Sequence, residues 1–459
     1  MARDSEIRLR AGALKFPAIL MQAISHIAPA IGLVLTIQFI TSIAGITAPL
    51  AYALAVVIVW MLGVSLAQLA KHLPSAGGYY TYISRTIHPR AGFLTAWLYL
   101  LYDPAGTAIN IAFMGFFFER TMQAQFHVRF PWWLFVIVST VLLTIVAYRG
   151  IAPSAAAVVF LGSAEILIVI GLSVSGVLHP GAGGINFKPY LLSSSPGVRG
   201  LCLGVVFSIF SVSGFDGVVP LAEESENPRK NIPRAILASI LCTGVFYLFC
   251  SWAVLVGWGT NDITGFVNSR ENACFVLARR FWGSGWILLL VAVLNSVFAV
   301  SIACTNAATR VFFALGRSGV FPRALGRVHP QHRTPANAIW LQTALTLAVG
   351  LGLGFWIGPD QEFYFMGLVI TLGLVLIYGV SNWGVFRFYR GEKRSEFRLW
   401  PHFICPLLST VALVVVGWES VAPLPEAPLR YAPLLIVVWI AAGLLLLWIM
   451  RRSGKEEWL

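Results

Sequence analysis

The chain has 459 residues, of which 58% are hydrophobic and only 11% charged, and it carries a net charge of +13. Soluble domains run at about 45–50% apolar and about 25% charged, so this chain is apolar on its outside as well as in its core. That excludes a soluble enzyme, a disordered scaffold and, in spite of the basic charge, a nucleic-acid binder.

A helix needs roughly 20 apolar residues to cross a hydrocarbon core of about 30 Å. Twelve runs are of about that length or longer: 17–43, 47–70, 91–121, 132–148, 154–177, 200–221, 233–259, 284–309, 336–357, 362–386, 401–421 and 432–450. The alternation of a membrane barrel is absent. The expectation is an all-α polytopic membrane protein with 12 transmembrane helices. The first run exceeds a signal-peptide core and no small-residue cleavage site follows it, so the N-terminus is expected to be retained. Placing that terminus inside puts three of every four Lys and Arg on the inner side, as the positive-inside rule requires. The basic excess then faces the anionic inner leaflet. Residues 1–16 and 451–459 are therefore expected in the cytoplasm, and the location is a bacterial inner membrane or a plasma membrane. The bilayer is a partner and nucleic acid is not. The six Cys show neither CxxC nor clustered spacing, so no disulfide framework, no metal and no cofactor are expected.

Helices in lipid should be apolar and continuous, and the exceptions carry the information. Span 1 contains Ser25-His26-Ile27-Ala28-Pro29-Ala30-Ile31-Gly32, where Pro29 removes a backbone N–H. Span 3 carries Asp103 about 18 Å into the run, and span 5 carries Glu165 about 16 Å in, both near the midplane. Asp103 shares a helical face with Tyr99, Gly106 and Asn110, which suits a substrate lining; the alternative is a structural acid holding the bend at Pro104. Tyr102 points about 100° away on a regular helix and ranks lower. Glu165 is either a proton carrier or a buried neutral acid. Span 6 contains Ser208, Ser211, Ser213-Gly214-Phe215-Asp216-Gly217 and Pro220, and Asp216 there either gates a pathway or caps unwound backbone. In span 8, Asn295, Ser301, Thr305, Asn306 and Thr309 form either an ion-coordinating stripe or ordinary helix–helix hydrogen bonds.

An ionised acid facing lipid costs about 2.5–3.5 kcal/mol. With no Lys or Arg in the interior of any run, His26 is the one basic side chain at that depth. It either titrates near neutral pH or is a satisfied structural His. Some acids are then protonated, or a bound cation supplies the missing charge, or both. Two interrupted helices five spans apart point to an inverted-repeat transporter with its site at the breaks; the alternative is two ordinary kinks.

Three stretches carry a resemblance: LPSAGGYYTYISRTIHPRAGFLTAW (73–97), SGFDGVVPLAEESENPRKNIPRAI (213–236) and NAATRVFFALGRSGVFPRALGRVHPQHRTP (306–335). In order and position they resemble the amino acid–polyamine–organocation (APC) transporter superfamily, over about residues 15–390. The resemblance implies a 5+5 inverted repeat, residues 17–177 and 200–386, with broken helices 1 and 6 and two extra helices at 401–450. Substrate would then lie between spans 1 and 6 and against spans 3 and 8. Candidate substrate-binding residues are Ser25, His26, Ala28, Ala30, Tyr99, Asp103, Asn110, Ser211, Ser213 and Phe215, with Glu165 and Asp216 for proton coupling or gating. The family's amino-acid carriers usually hold the substrate carboxylate on a glycine-rich turn in span 1. Here that turn reads Ile27-Ala28-Pro29-Ala30-Ile31-Gly32, and Pro29 has no N–H to give. Together with Asp103 this resembles the amine and polyamine branch more.

The leading reading is a secondary transporter importing an amino acid or related amine, coupled to H+ rather than Na+, and not an enzyme. An exchanger is the nearest alternative. A channel or sensor on the same scaffold, and an intramembrane aspartyl protease using Asp103 and Asp216, are the other classes. There is no nucleotide-binding loop for ATP-driven transport.

Overall fold

The computed structural model describes residues 9–422 and 426–452; the outermost parts of the expected cytoplasmic stretches, 1–8 and 453–459, lie outside the described residues. Among the described residues the chain is helical without a strand, apart from an isolated bridge pairing Leu14 with Ser225.

The first predicted span is three helices, α1 (Phe16–Ile27), α2 (Pro29–Val34) and α3 (Ile37–Ala44). α1 stops where Ala28 takes a left-handed conformation, φ 55° and ψ 65°. Pro29, with its fixed φ and missing N–H, then restarts the chain as the first residue of α2. α4 (Ala48–His72) is unbroken; a short α5 (Tyr79–Thr86) leads to α6 (Pro89–Tyr99) and α7 (Asp103–Phe126). The third predicted span is therefore also interrupted. Tyr102 has φ −97° and ψ −99°, and Pro104 sits in the first turn of α7. α8 (Trp132–Arg149), α9 (Ile151–Leu178) and α10 (Val198–Val212) follow. After α10 the chain unwinds at Ser213–Gly214 and continues as a 3-10 helix, Phe215–Glu224, that holds Pro220. The remaining helices are α11 (Pro228–Trp258), α12 (Ile263–Val267), α13 (Ala273–Trp282), α14 (Ile287–Arg317), α15 (Ala336–Ile357), α16 (Pro359–Arg390), α17 (Cys405–Glu419) and α18 (Ala432–Arg452).

Eleven helical stretches among the described residues are long and apolar enough to cross a membrane, against 12 expected from the sequence. The third predicted run is the one that does not qualify. It is split at Leu100–Tyr102, and α7 carries Asp103, Asn110, Glu119 and Arg120. A second difference concerns span 8. The apolar run ends at 309 and predicts a loop from Arg310, but α14 runs on to Arg317 and Arg310 is fully buried.

The bundle turns its apolar side chains outward. On α9, Phe160 and Leu167 are exposed while Glu165 between them is buried, so this helix shows lipid one face and the interior the other. α1 lies at the centre, packed against α9, α11, α14 and the 3-10 helix. Both ends of the first span are tied down. At the end expected to face the cytoplasm, the Leu14 N–H donates to the Glu224 carbonyl (3.0 Å) and the Glu226 N–H to the Leu14 carbonyl (2.9 Å). Arg310 Nε meets Glu224 Oε2 at 2.8 Å, and Arg317 Nη2 meets Glu223 Oε1 at 2.5 Å. At the other end, the Gln38 amide donates to the carbonyls of Val267 and Ser269, and Asn272 donates to the Val34 carbonyl.

Candidate functional site

The breaks in spans 1 and 6 meet in direct contact rather than across an open cavity. A Cβ on Gly214 would stand 2.7 Å from the His26 carbonyl oxygen, and one on Gly217 would stand 1.4 Å from His26 Nδ1. Gly217 leaves the space that the imidazole fills, and Gly214, at φ 117°, supplies a turn that other residues adopt only with strain. Unwinding at both places thus seats His26 against the start of the 3-10 helix.

Around His26 the structure gathers one connected polar cluster from five segments of chain. His26 Nε2 lies 2.8 Å from Asp103 Oδ1 and 3.3 Å from Cys304 Sγ. The Tyr99 hydroxyl donates to Asp103 Oδ2. Asp216 accepts from the Tyr79 hydroxyl at Oδ2 (2.9 Å) and from the Tyr102 hydroxyl at Oδ1 (3.3 Å). The Tyr102 ring stacks on His26, with centroids 5.8 Å apart, and meets Tyr99 edge-on. Phe215 stacks on Tyr378, which in turn tilts against Tyr79. Asp103, Asp216, His26 and Cys304 are all buried; the His26 imidazole is the partner of Asp103 Oδ1, and His26 Nδ1 takes part in no hydrogen bond.

Local chain geometry explains the placing of each tyrosine. The expectation that Tyr102 points away from Asp103 assumes a continuous helix; the interruption at Leu100–Tyr102 turns its ring onto His26 instead. Tyr79 opens α5 directly after Gly78, at φ 52°. The loop before it is anchored by the Ala76 N–H donating to Glu223 Oε1 (3.1 Å), which carries Tyr79 to Asp216.

Of the residues singled out in the sequence, His26, Tyr99, Asp103, Asp216 and Phe215 lie in or against this cluster. Ala28 forms the bend itself, and its N–H is used within α1, donating to the carbonyls of Ile24 and Ser25; Ala30 is buried in α2. Ser25 turns toward α9, where its hydroxyl donates to the Val158 carbonyl (3.4 Å). Ser211 shares a hydrogen bond with Thr36 (3.2 Å), and the Ser213 hydroxyl donates back to the Ile209 carbonyl (2.8 Å). Asn110 is half-buried, two turns along α7 from Asp103, or about 10 Å at 1.5 Å per residue. Glu165 stands apart from the cluster. It is fully buried, neither carboxylate oxygen has a hydrogen bond, and the Ser296 hydroxyl of α14 is beside it.

In the polar stripe on α14, Asn295 and Asn306 reach neighbouring helices, Thr309 bonds back to its own helix, and the buried Ser301 hydroxyl has no hydrogen bond. Asn306 donates to Ser154 Oγ (2.7 Å) and to Gln22 Oε1 (3.4 Å), while Gln22 donates to the Ala303 carbonyl (3.1 Å). These bonds hold α1, α9 and α14 together, which matches the helix–helix alternative. An apolar cleft of about 230 Å³ lies beside the first break, lined by Ile24, Pro29, Ile166, Ile170, Phe246 and Phe249 among others; it contains no ionisable group apart from the Cys242 thiol and is unsuited to a polar ligand.

The arrangement is a buried site with two carboxylates, one imidazole and a ring of phenols, into which no Lys or Arg reaches among the described residues. Arg310, the fully buried cation nearest in chain position, is engaged by Glu224.

Comparison with known proteins places the chain in a recognisable setting. A family model described as amino acid permease matches residues 18–459. The chain is similar to a low-affinity putrescine importer of Escherichia coli K12, 28% identical over 420 residues, covering 89% of this chain and 87% of that protein. It is similar to a branched-chain amino acid permease of Lactococcus lactis, 22% identical over 408 residues, covering 83% of each. A serine/threonine exchanger of Bacillus subtilis is 27% identical over 353 residues, covering 72% of this chain and 74% of the relative.

Proposed function

The chain belongs to the amino acid permease family of the APC superfamily, and from that premise we propose that it imports a cationic amine or a related amino acid by proton-driven alternating access. One observation carries the substrate class. Asp103 and Asp216 are both buried at the junction of the two breaks, and among the described residues His26 is the only basic side chain in contact with them. Two acids against one imidazole leave the site short of positive charge whenever both are ionised. A substrate ammonium supplies it through charge-assisted hydrogen bonds, and Asp103, whose Oδ1 already faces the His26 imidazole at 2.8 Å, is the acceptor we assign to it. The faces of Tyr99, Tyr102 and Tyr378 suit a cation as well.

The turn in span 1 favours an amine over a neutral amino acid. The Ala28 N–H is consumed within α1 and Pro29 has none, which leaves the Ala30 and Ile31 N–H groups at the start of α2 as the donors there for a substrate carboxylate. The similarity to a putrescine importer agrees with this reading. In the proposed cycle, repeats 17–177 and 200–386 move against each other, helices at 401–450 stay outside the exchange, and both termini face the cytoplasm.

Coupling is assigned to Glu165, with Asp216 as the gating acid. A buried carboxylate without a hydrogen bond is stable in an apolar interior only when a proton or a cation accompanies it. The test is uptake of labelled putrescine and of amino acids into proteoliposomes under an imposed inward proton gradient. Accumulation abolished by a protonophore, and gradient dependence lost in Glu165→Gln, support the proposal. Uptake that requires Na+ and ignores the protonophore overturns it. Uptake that appears only when the vesicles are preloaded with substrate identifies an exchanger instead.

A further inference from the structure

We propose that His26, Asp103 and Cys304 form a binding site for a soft divalent cation, with Zn2+ and Cd2+ as the ions that fit it. Three residues far apart in the chain, from α1, α7 and α14, bring one imidazole nitrogen, one carboxylate oxygen and one sulfur within 4.8 Å of one another. All three side chains are buried. His26 Nε2 is the hub, 2.8 Å from Asp103 Oδ1 and 3.3 Å from Cys304 Sγ. A tetrahedral Zn2+ with bonds of about 2.0–2.3 Å needs edges of about 3.4–3.6 Å between its ligands. The His26–Asp103 edge must open by roughly half an ångström and the His26–Cys304 edge by less to reach that geometry, and the Asp103–Cys304 edge is within 4.8 Å.

The donor set selects the ion. A sulfur and an imidazole favour Zn2+ or Cd2+ over Mg2+ or Ca2+, which take oxygen ligands. The Tyr99 hydroxyl, donating to Asp103 Oδ2, orients the carboxylate from outside as an outer partner does in metal sites. Charge balance points the same way. One dication, one thiolate, one carboxylate and a neutral imidazole sum to zero, which suits a site without Lys or Arg. Binding forms bonds from the metal to sulfur, nitrogen and oxygen, and it releases to solvent the Cys304 thiol proton together with any proton shared between His26 and Asp103. The fourth position is left for water. An ion held here fastens three helices to one point. It also competes with substrate for Asp103, and that consequence alone rests on the transport reading above.

The decisive experiment is titration of the purified protein with Cd2+, followed by thiolate-to-metal charge-transfer absorption in the ultraviolet. A saturable signal is expected, at least about a hundredfold weaker in affinity for Cys304→Ser or Cys304→Ala, and unchanged when the exposed Cys202 and Cys242 are both replaced by Ser. A signal retained in the Cys304 variants, or lost with Cys202 and Cys242, overturns the proposal. Independently of any variant, X-ray absorption of the wild-type protein with one equivalent of Zn2+ should give a shell of one sulfur at about 2.3 Å with N/O ligands at about 2.0–2.2 Å. A shell of N/O alone, or of two or more sulfurs, refutes it. Because both readouts measure binding, they stand whether or not an amine is the transported substrate.

Discussion

Neutralising Glu224 should destabilise the protein more than removing either acid of the central cluster. Arg310 is fully buried and Glu224 nearly so, and the pair is joined at two points, Nε to Oε2 at 2.8 Å and Nη2 to Oε1 at 3.4 Å. A further bond from Arg310 Nη1 to Thr309 Oγ1 (3.0 Å) holds the guanidinium in place. Glu224→Gln keeps the shape but leaves the guanidinium buried without a counter-charge. Removing one partner of a buried pair costs about 3–5 kcal/mol, which at about 1.4 kcal/mol per tenfold lowers the folded-to-unfolded ratio by about two to three and a half orders of magnitude. The double variant Glu224→Leu with Arg310→Met removes both charges and should recover most of that loss, because a buried pair replaced by apolar residues is often neutral or better. Reversible unfolding in mixed micelles of the wild type, Glu224→Leu, Arg310→Met and the double variant measures the coupling, with Glu224→Gln measured beside them. A Glu224→Gln protein within about 0.5 kcal/mol of wild type would refute the argument that this pair is desolvated and holds the 3-10 helix to α14.

Two further predictions concern the meeting of the breaks. Gly217→Ala places a Cβ where His26 Nδ1 sits and should abolish transport in a folded protein, whereas Gly379→Ala, which meets nothing within 4 Å, should leave uptake at the wild-type rate. Tyr99→Phe deletes the hydroxyl donor to Asp103; a hydrogen bond to a charged group contributes about 1.5–3 kcal/mol, so amine affinity measured by calorimetry should fall by at least about tenfold.

The breaks are legible in the sequence because proline and closely spaced glycines inside an apolar run weaken the helical hydrogen-bond ladder at that point; the chain breaks at Ala28, just before Pro29, and unwinds at Ser213–Gly214, just before the 3-10 helix that holds Gly217. Asp103, Asp216 and His26 are legible for a related reason: an ionisable side chain at midplane depth needs a partner, and each has one. What sequence reasoning misses depends on contacts between distant segments or on departures from regular geometry. Tyr102 ranks low only when 100° per residue is counted through a stretch that is not helical. Tyr79 and Tyr378 lie 137 and 162 positions from Asp216, and no local pattern links them, although Tyr79 falls inside the Gly-Gly-Tyr-Tyr stretch that carries the family resemblance. Cys304 looks isolated because spacing along the chain says nothing of its position beside a histidine 278 residues away. Arg310 reads as a loop residue because the apolar run ends one residue before it, while the helix and the burial continue.

The central claim is that Asp103 holds the cationic group of the substrate, and direct binding of a diamine to purified Asp103→Asn protein tests it most closely. The substitution removes the charge and keeps the shape. Loss of a charge-assisted hydrogen bond of about 1.5–3 kcal/mol predicts affinity about ten- to a hundredfold weaker than wild type, with thermal stability retained. Unchanged affinity in a well-folded Asp103→Asn protein would contradict the account, leaving Asp103 as the structural partner of His26 and Asp216 as the acid that meets the substrate.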